Sequence, residues 1–140
     1  MPRYIGRRFL RLSATLWAAI SIGFLAWPVI LGEYVNLFLP TTTSRIHLRA
    51  SHGGLAAGLA IFFWLAAGRP AWHRPALTAA ICVYWGLALA AGLGIALEGK
   101  TIPRIAAMLL VESLLGLAGF WAISAEPANA AGLADTGCPG

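Results

Sequence analysis

Four long apolar runs, separated by short polar punctuation, organise the chain: residues 9–32, 46–68, 75–97 and 105–123. Each comes close to the ~20 residues that a helix needs to cross a hydrocarbon layer about 30 Å thick. Lipid offers no water to unpaired backbone groups, so such runs become helices or the strands of a closed barrel. Barrel strands are shorter and alternate polar with apolar side chains. These runs are continuous and rich in Ala and Leu, which predicts four transmembrane helices.

The punctuation agrees. Pro28 bends or ends the last turns of the first run, because proline has no N–H to donate. Pro40-Thr41-Thr42-Thr43-Ser44 reads as a polar loop whose end caps the second helix. Gly68-Arg69-Pro70 stops that helix, and Pro75 suits the first turn of the third. Glu98-Gly99-Lys100 closes the third, and Pro103 opens the fourth. From Glu126 onward the chain is Ala, Gly, Pro and Asn without periodicity, the pattern of a flexible tail. The expected organisation is therefore a four-helix membrane domain over 1–125 and a polar tail over 126–140. The fold class is all-α, a membrane-embedded four-helix bundle. The basic cluster before the first run resembles the start of a signal peptide. That run exceeds the 7–15 apolar residues of a signal and ends in Trp27-Pro28-Val29-Ile30-Leu31-Gly32, so it reads as a retained helix.

Composition adds one point. In 140 residues, 59% are hydrophobic and only 11% charged, against roughly 25% charged in a soluble domain. Mean hydropathy is +0.77. The net charge of +5 comes from basic residues at the ends of the apolar runs, which points to membrane anchoring and orientation and away from nucleic acid. Arg3, Arg7, Arg8, Arg11, Arg69 and Arg74 fall on one side, and Arg45, Arg49, Lys100 and Arg104 on the other, with Glu33 and Glu98. The bias predicts both termini in the cytoplasm and a multi-pass protein of the cell inner membrane. Cys82 and Cys138 have no CxxC or Cys/His spacing, and their redox state is not legible.

Small residues recur at four-residue steps, as in Ala50, Gly54 and Gly58 on the second helix. Gly92 on the third and Gly116 and Gly119 on the fourth belong to similar stripes. In lipid such stripes let helix axes approach closely, within one bundle or between chains. Arg45, Arg49 and His52 lie at i, i+4, i+7 on one face at the outer end of the second helix. Glu112 is the only carboxylate well inside an apolar run, about seven residues or roughly 10 Å deep. Arg49 is its expected partner and His52 the alternative. The functional reading is a polar pocket that binds an anionic or proton-carrying ligand through Arg45, Arg49, His52 and Glu112. The competing reading is a buried ion pair that sets helix register. His47 and His52 are five apart and do not share a face as metal ligands would, so neither a metal nor a cofactor is expected.

The stretch His47-Leu48-Arg49-Ala50-Ser51-His52-Gly53-Gly54 resembles the LRAxYGG segment of the DUF4345 family, small bacterial four-helix membrane proteins of unknown function. Glu98-Gly99 looks like that family's acidic-Gly turn, and Glu112 matches a glutamate that the family tends to carry in its last helix. His52 stands where the family usually has Tyr, and no Arg occurs near Ala91-Gly92-Leu93-Gly94, where relatives often have one. The resemblance implies the architecture and the importance of Arg49, Gly53, Gly54 and Glu112, and it implies no reaction.

No catalytic constellation stands out, so the leading expectation is a non-enzymatic accessory or scaffold subunit of a membrane assembly. Its expected partners are the lipid bilayer and either further copies of the chain or a larger membrane complex, with no nucleic acid. The second expectation is an oligomeric transporter or a lipid or small-molecule binder that uses Arg49, His52 and Glu112. The third is a membrane enzyme with His52 and Glu112 as acid–base groups.

Overall fold

The computed structural model describes residues 3–35, 37, 39–99 and 103–126. Among these the chain is all helical, with no strand. Helix α1 spans Arg3–Ala26, α2 Pro28–Tyr34, α3 Thr42–Leu48, α4 Leu55–Ala67, α5 His73–Glu98 and α6 Pro103–Ser124. A π-helical segment, Arg49–Gly54, joins α3 to α4, and a 3-10 turn, Pro70–Trp72, leads into α5.

Four continuous stretches are long and apolar enough to cross a membrane: Tyr4–Ala26, Thr42–Ala67, Pro70–Glu98 and Pro103–Ser124. At most 33% of the most apolar window in any of them is buried within the chain. Leu89, Leu93, Leu97, Leu110 and Leu114 all point outward. Water would make that much exposed leucine costly, whereas hydrocarbon does not. The chain is a multi-pass membrane protein.

Local chemistry explains where the helices begin and end. Thr41 caps α3 through a reciprocal pair: Ser44 N–H donates to Thr41 Oγ1 at 3.1 Å and Thr41 N–H to Ser44 Oγ at 3.2 Å. Gly99 ends α5 in the left-handed region at φ +64°, where its N–H donates to the Ile95 carbonyl. Pro103 is the first residue of α6, and Pro28 the first of α2. The structure departs from the sequence expectation in three ways. Helix α1 begins at Arg3, so Arg7, Arg8 and Arg11 are helical. Arginine is a good helix former, and its stem can lie along apolar surface while the charge reaches water. The first run is broken at Trp27 (φ −127°, ψ 58°), and α2 is a separate short helix. The second run passes through the π segment rather than one uniform α-helix. Lys100, Cys138 and the tail expected over 126–140, apart from Glu126, lie outside the described residues.

The chain forms two compact units, to both of which α1 and α4 contribute. One is Arg11–Leu65. Its interior holds Ala14, Ser21, Leu48, Ala56, Ala60 and Phe63. The other is Met1–Leu10 with Ala66–Gly140. Its interior is Leu10, Leu77, Ala80, Ile81, Tyr84 and Ala122, with Phe9 set edge-on to Tyr84 at 6.4 Å. Trp27, Trp64, Trp72 and Trp121 are exposed near ends of their helices, as aromatic anchors at a membrane interface are.

Candidate functional site

In the Arg11–Leu65 unit the chemistry gathers where α1 breaks. Helix α1 stops at Ala26, so its last carbonyls lack a following turn to bond them. Trp27 N–H takes the Gly23 carbonyl at 2.8 Å. The Phe24 carbonyl would have met residue 28, but that is a proline without an N–H. The Leu25 carbonyl is taken by a side chain, since Arg49 Nε donates to it at 3.0 Å. Four residues further along the π segment the donation runs the other way: buried Ser21 Oγ on α1 donates to the Gly53 carbonyl at 2.9 Å. Between these two bonds the backbones approach closely. A Cβ on Gly53 would lie 2.8 Å from Leu25 Cδ2, so this position admits only glycine without a shift. His52 sets its ring 5.2 Å from that of Phe24. Ser51 Oγ donates to the His47 carbonyl, which leaves His52 Nδ1–H as the donor to Ser51 Oγ at 2.9 Å. Arg49, Ser51, His52 and Gly53 thus form a clamp on the C-terminal end of α1.

Beside the clamp is a cavity of about 360 Å³, lined by residues 26–30 on one side and Thr42, Arg45, Ile46 and Arg49 on the other. It exists because the break at Trp27 swings α2 off the axis of α1. Two guanidinium groups therefore border one cavity. Arg49 has one N–H committed to Leu25, out of the five that a guanidinium carries. His52 is not among the lining residues. An i→i+5 turn holds more residues than an α-turn, so a count of 100° per residue does not carry through Arg49–Gly54.

Glu112 belongs to the other unit. Its Oε2 is buried without a hydrogen-bond partner among the described residues, and so is Nε1 of Trp85. Helices α5 and α6 run antiparallel, with Gly116 against Trp85 and Gly119 against Ile81. A Cβ on Gly116 would lie 2.6 Å from Trp85 Nε1, and one on Gly119 2.8 Å from Ile81 Cγ1. Ala50 is exposed. Gly54 has only the Arg49 carbonyl within reach of an added Cβ, at 3.9 Å. An added Cβ on Gly58 or Gly92 would meet no described atom within 4 Å beyond its own stretch of helix.

The family described as "Domain of unknown function (DUF4345)" matches residues 5–123. The chain belongs to the DUF4345 family. No curated protein and no solved structure matches it. In this DUF4345 chain the segment Leu48–Gly54 has a structural task that can be stated atom by atom. It supplies the arginine that caps α1, the carbonyl that accepts from Ser21, and the glycine over which Leu25 passes.

One polar pair of this DUF4345 protein was not legible in the sequence. His73, at the start of α5, sets Nδ1 3.3 Å from Glu126 Oε1, just beyond α6. Its Nε2 lies 3.4 Å from the Ala67 carbonyl. Both side chains are buried, at 7% and 8% exposure. With Nε2–H donating to a carbonyl, one proton between Nδ1 and Oε1 completes the set. Gly6 on α1 makes room for the carboxylate, since a Cβ there would lie 2.5 Å from Glu126 Oε1. A helix-direction count would have put residue 73 and residue 126 at the same end of the protein. The polar, unpatterned tail hid the role of its first residue. Among the described residues no three His, Cys, Asp or Glu side chains gather as metal ligands would. Cys82 is a free, exposed thiol on α5.

Proposed function

We propose that this chain is a non-catalytic protein of the cell inner membrane, with both termini cytoplasmic, that binds a small anion in the cavity beside the α1 break. The observation that carries the reading is the pair of guanidiniums, Arg45 and Arg49, on one cavity of about 360 Å³. Arginine is suited to carboxylate and phosphate because its planar fork matches their oxygens. The apolar part of the lining, such as Ile30 and Ile46, suits an anion that carries a hydrocarbon portion. His52 and Glu112 do not line this cavity, and Glu112 belongs to the other unit. Glu112 Oε2 offers a buried acceptor that lacks a donor.

Arg45 is the residue for the test, because Arg49 also caps α1. Purified protein in mild detergent is titrated with inorganic phosphate and with decanoate, and the melting temperature is followed. Ligand that binds only the folded state raises it. Arg45→Gln is expected to weaken binding about tenfold or more, the value of one charge-assisted hydrogen bond, with the unliganded melting temperature unchanged. Equal ligand shifts in wild type and variant would remove the cavity from consideration. The topology is tested separately, with a reporter fused at the C-terminus that is active only in the cytoplasm; its inactivity would reverse the orientation.

A second reading, an accessory or scaffold subunit of a membrane assembly, is favoured by the open surroundings of Gly58, Gly86, Gly92 and Gly94. Small residues that no described atom covers leave room for a helix of another chain. Native mass measurement in mild detergent discriminates: a strictly monomeric protein without a co-purifying partner counts against this reading.

A further inference from the structure

Midway along α1, a second concavity opens on the same Arg11–Leu65 unit. It has a volume of about 290 Å³. Ala14 and Ala18 on α1 and Ala60 on α4 line it as small residues, and Ile61, Trp64 and Leu65 as large ones. The one hydroxyl on its lining, Thr15 Oγ1, is turned back onto the Arg11 carbonyl, so the groove offers no free polar group of its own. The helices are antiparallel here, since Ser21 meets Gly53 toward one end and Arg11 meets Trp64 toward the other. The groove therefore runs along the helix axes for at least the one turn from Ala14 to Ala18, about 6 Å at 1.5 Å per residue. One turn before Ala14, Arg11 holds its guanidinium over the Trp64 ring, 6.0 Å from the centroid.

We infer that this groove holds an anionic phospholipid, with an acyl chain along Ala14, Ala18 and Ala60 and the headgroup phosphate on Arg11. Three features select that occupant. The trough is apolar and axial, which fits a chain of methylenes and not a polar solute. Its mouth is cationic, so the headgroup must carry negative charge; a basic residue near the surface contributes about 1 kcal/mol toward an anionic lipid. Trp64 marks the mouth as the level of the headgroups, where indole rings prefer to sit. The groove shares no lining residue with the cavity at Arg45 and Arg49 and does not depend on what binds there.

Native mass spectrometry of the full chain, released from mixed micelles of phosphatidylglycerol and phosphatidylethanolamine with identical acyl chains, tests the inference. Wild type is expected to retain phosphatidylglycerol in preference. Arg11→Gln should reduce that preference about fivefold, while the retention of phosphatidylethanolamine stays the same. Ala18→Leu, which fills the trough, should lower the retention of both lipids. Arg74→Gln removes an exposed charge of the same sign at a residue that does not line the groove and should leave the preference unaltered. The inference is overturned if Arg11→Gln keeps the wild-type preference, or if Arg74→Gln reduces it as much, because a diffuse positive surface would then account for the selectivity. Arg11→Gln changes an exposed side chain, so its result stands even if Ala18→Leu fails to fold.

Discussion

His73→Ala is expected to destabilise the protein by about 3 kcal/mol or more, the largest effect of any single substitution considered. The reason lies in what would be left behind. The Glu126 side chain is 8% exposed and held against Gly6, and His73 is the partner that sits 3.3 Å from its Oε1. Without the imidazole a carboxylate is left buried and unpaired, which costs far more than the net worth of the pair. Glu126→Ala should be milder, about 1–3 kcal/mol, because an imidazole without its partner can give up its proton and keep the Nε2–H bond to Ala67. The double variant His73→Leu/Glu126→Leu should recover most of the loss, since apolar side chains of similar size leave no unpaired group. Unfolding free energies from denaturing-detergent titration of wild type, the two alanine variants and His73→Ala/Glu126→Ala close a double-mutant cycle. Additive losses would mean that the two side chains act independently.

Gly116→Ala and Gly92→Ala are expected to change stability with opposite signs, although both put one methyl group into a membrane helix. On α6, the new Cβ at Gly116 would sit 2.6 Å from Nε1 and 2.8 Å from Cδ1 of Trp85. The half-buried indole is bulky and its Nε1 edge is enclosed, so α5 and α6 must separate or the ring must leave its rotamer, at about 1–3 kcal/mol. On α5, the new Cβ at Gly92 meets nothing within 4 Å among the described residues. Alanine there removes backbone freedom from the unfolded chain and should stabilise by roughly 0.5–1 kcal/mol. The same titration measures both. If Gly92→Ala destabilises by as much as Gly116→Ala, then Gly92 is covered by another chain in the membrane, which would support the accessory-subunit reading.

These two predictions also mark how far the sequence reached. Gly92 and Gly116 look alike as letters, each a glycine in a stripe of small residues. Only the partner surface separates them: α6 presents Gly116 to an indole, and α5 presents Gly92 to open space. Arg45 and Arg49 were legible as a polar pair at the end of the second run, because an arginine inside an apolar stretch is costly and conspicuous. The cavity between them and residues 26–30 was not legible, because it depends on how far Trp27 and Pro28 turn the chain. Nor was the Arg49 bond to the Leu25 carbonyl, which joins residues 24 apart in sequence.

Four helices long enough to cross a membrane and the all-α class come from the amino-acid sequence alone. Those follow from local and additive quantities: apolar length against bilayer thickness, the missing N–H of proline, the cap at Thr41, and the left-handed turn that Gly99 adopts. The tertiary structure alone decided the π segment at Arg49–Gly54, the clamp on α1, and the His73–Glu126 pair. Each of these depends on where an unpaired backbone carbonyl or a buried charge finds its complement, and that complement comes from a distant part of the chain which hydropathy cannot rank. A pattern of hydrophobic residues says which segments leave water. Which polar atoms then meet is set by angles and close approaches between segments, and those exist only once the chain has folded.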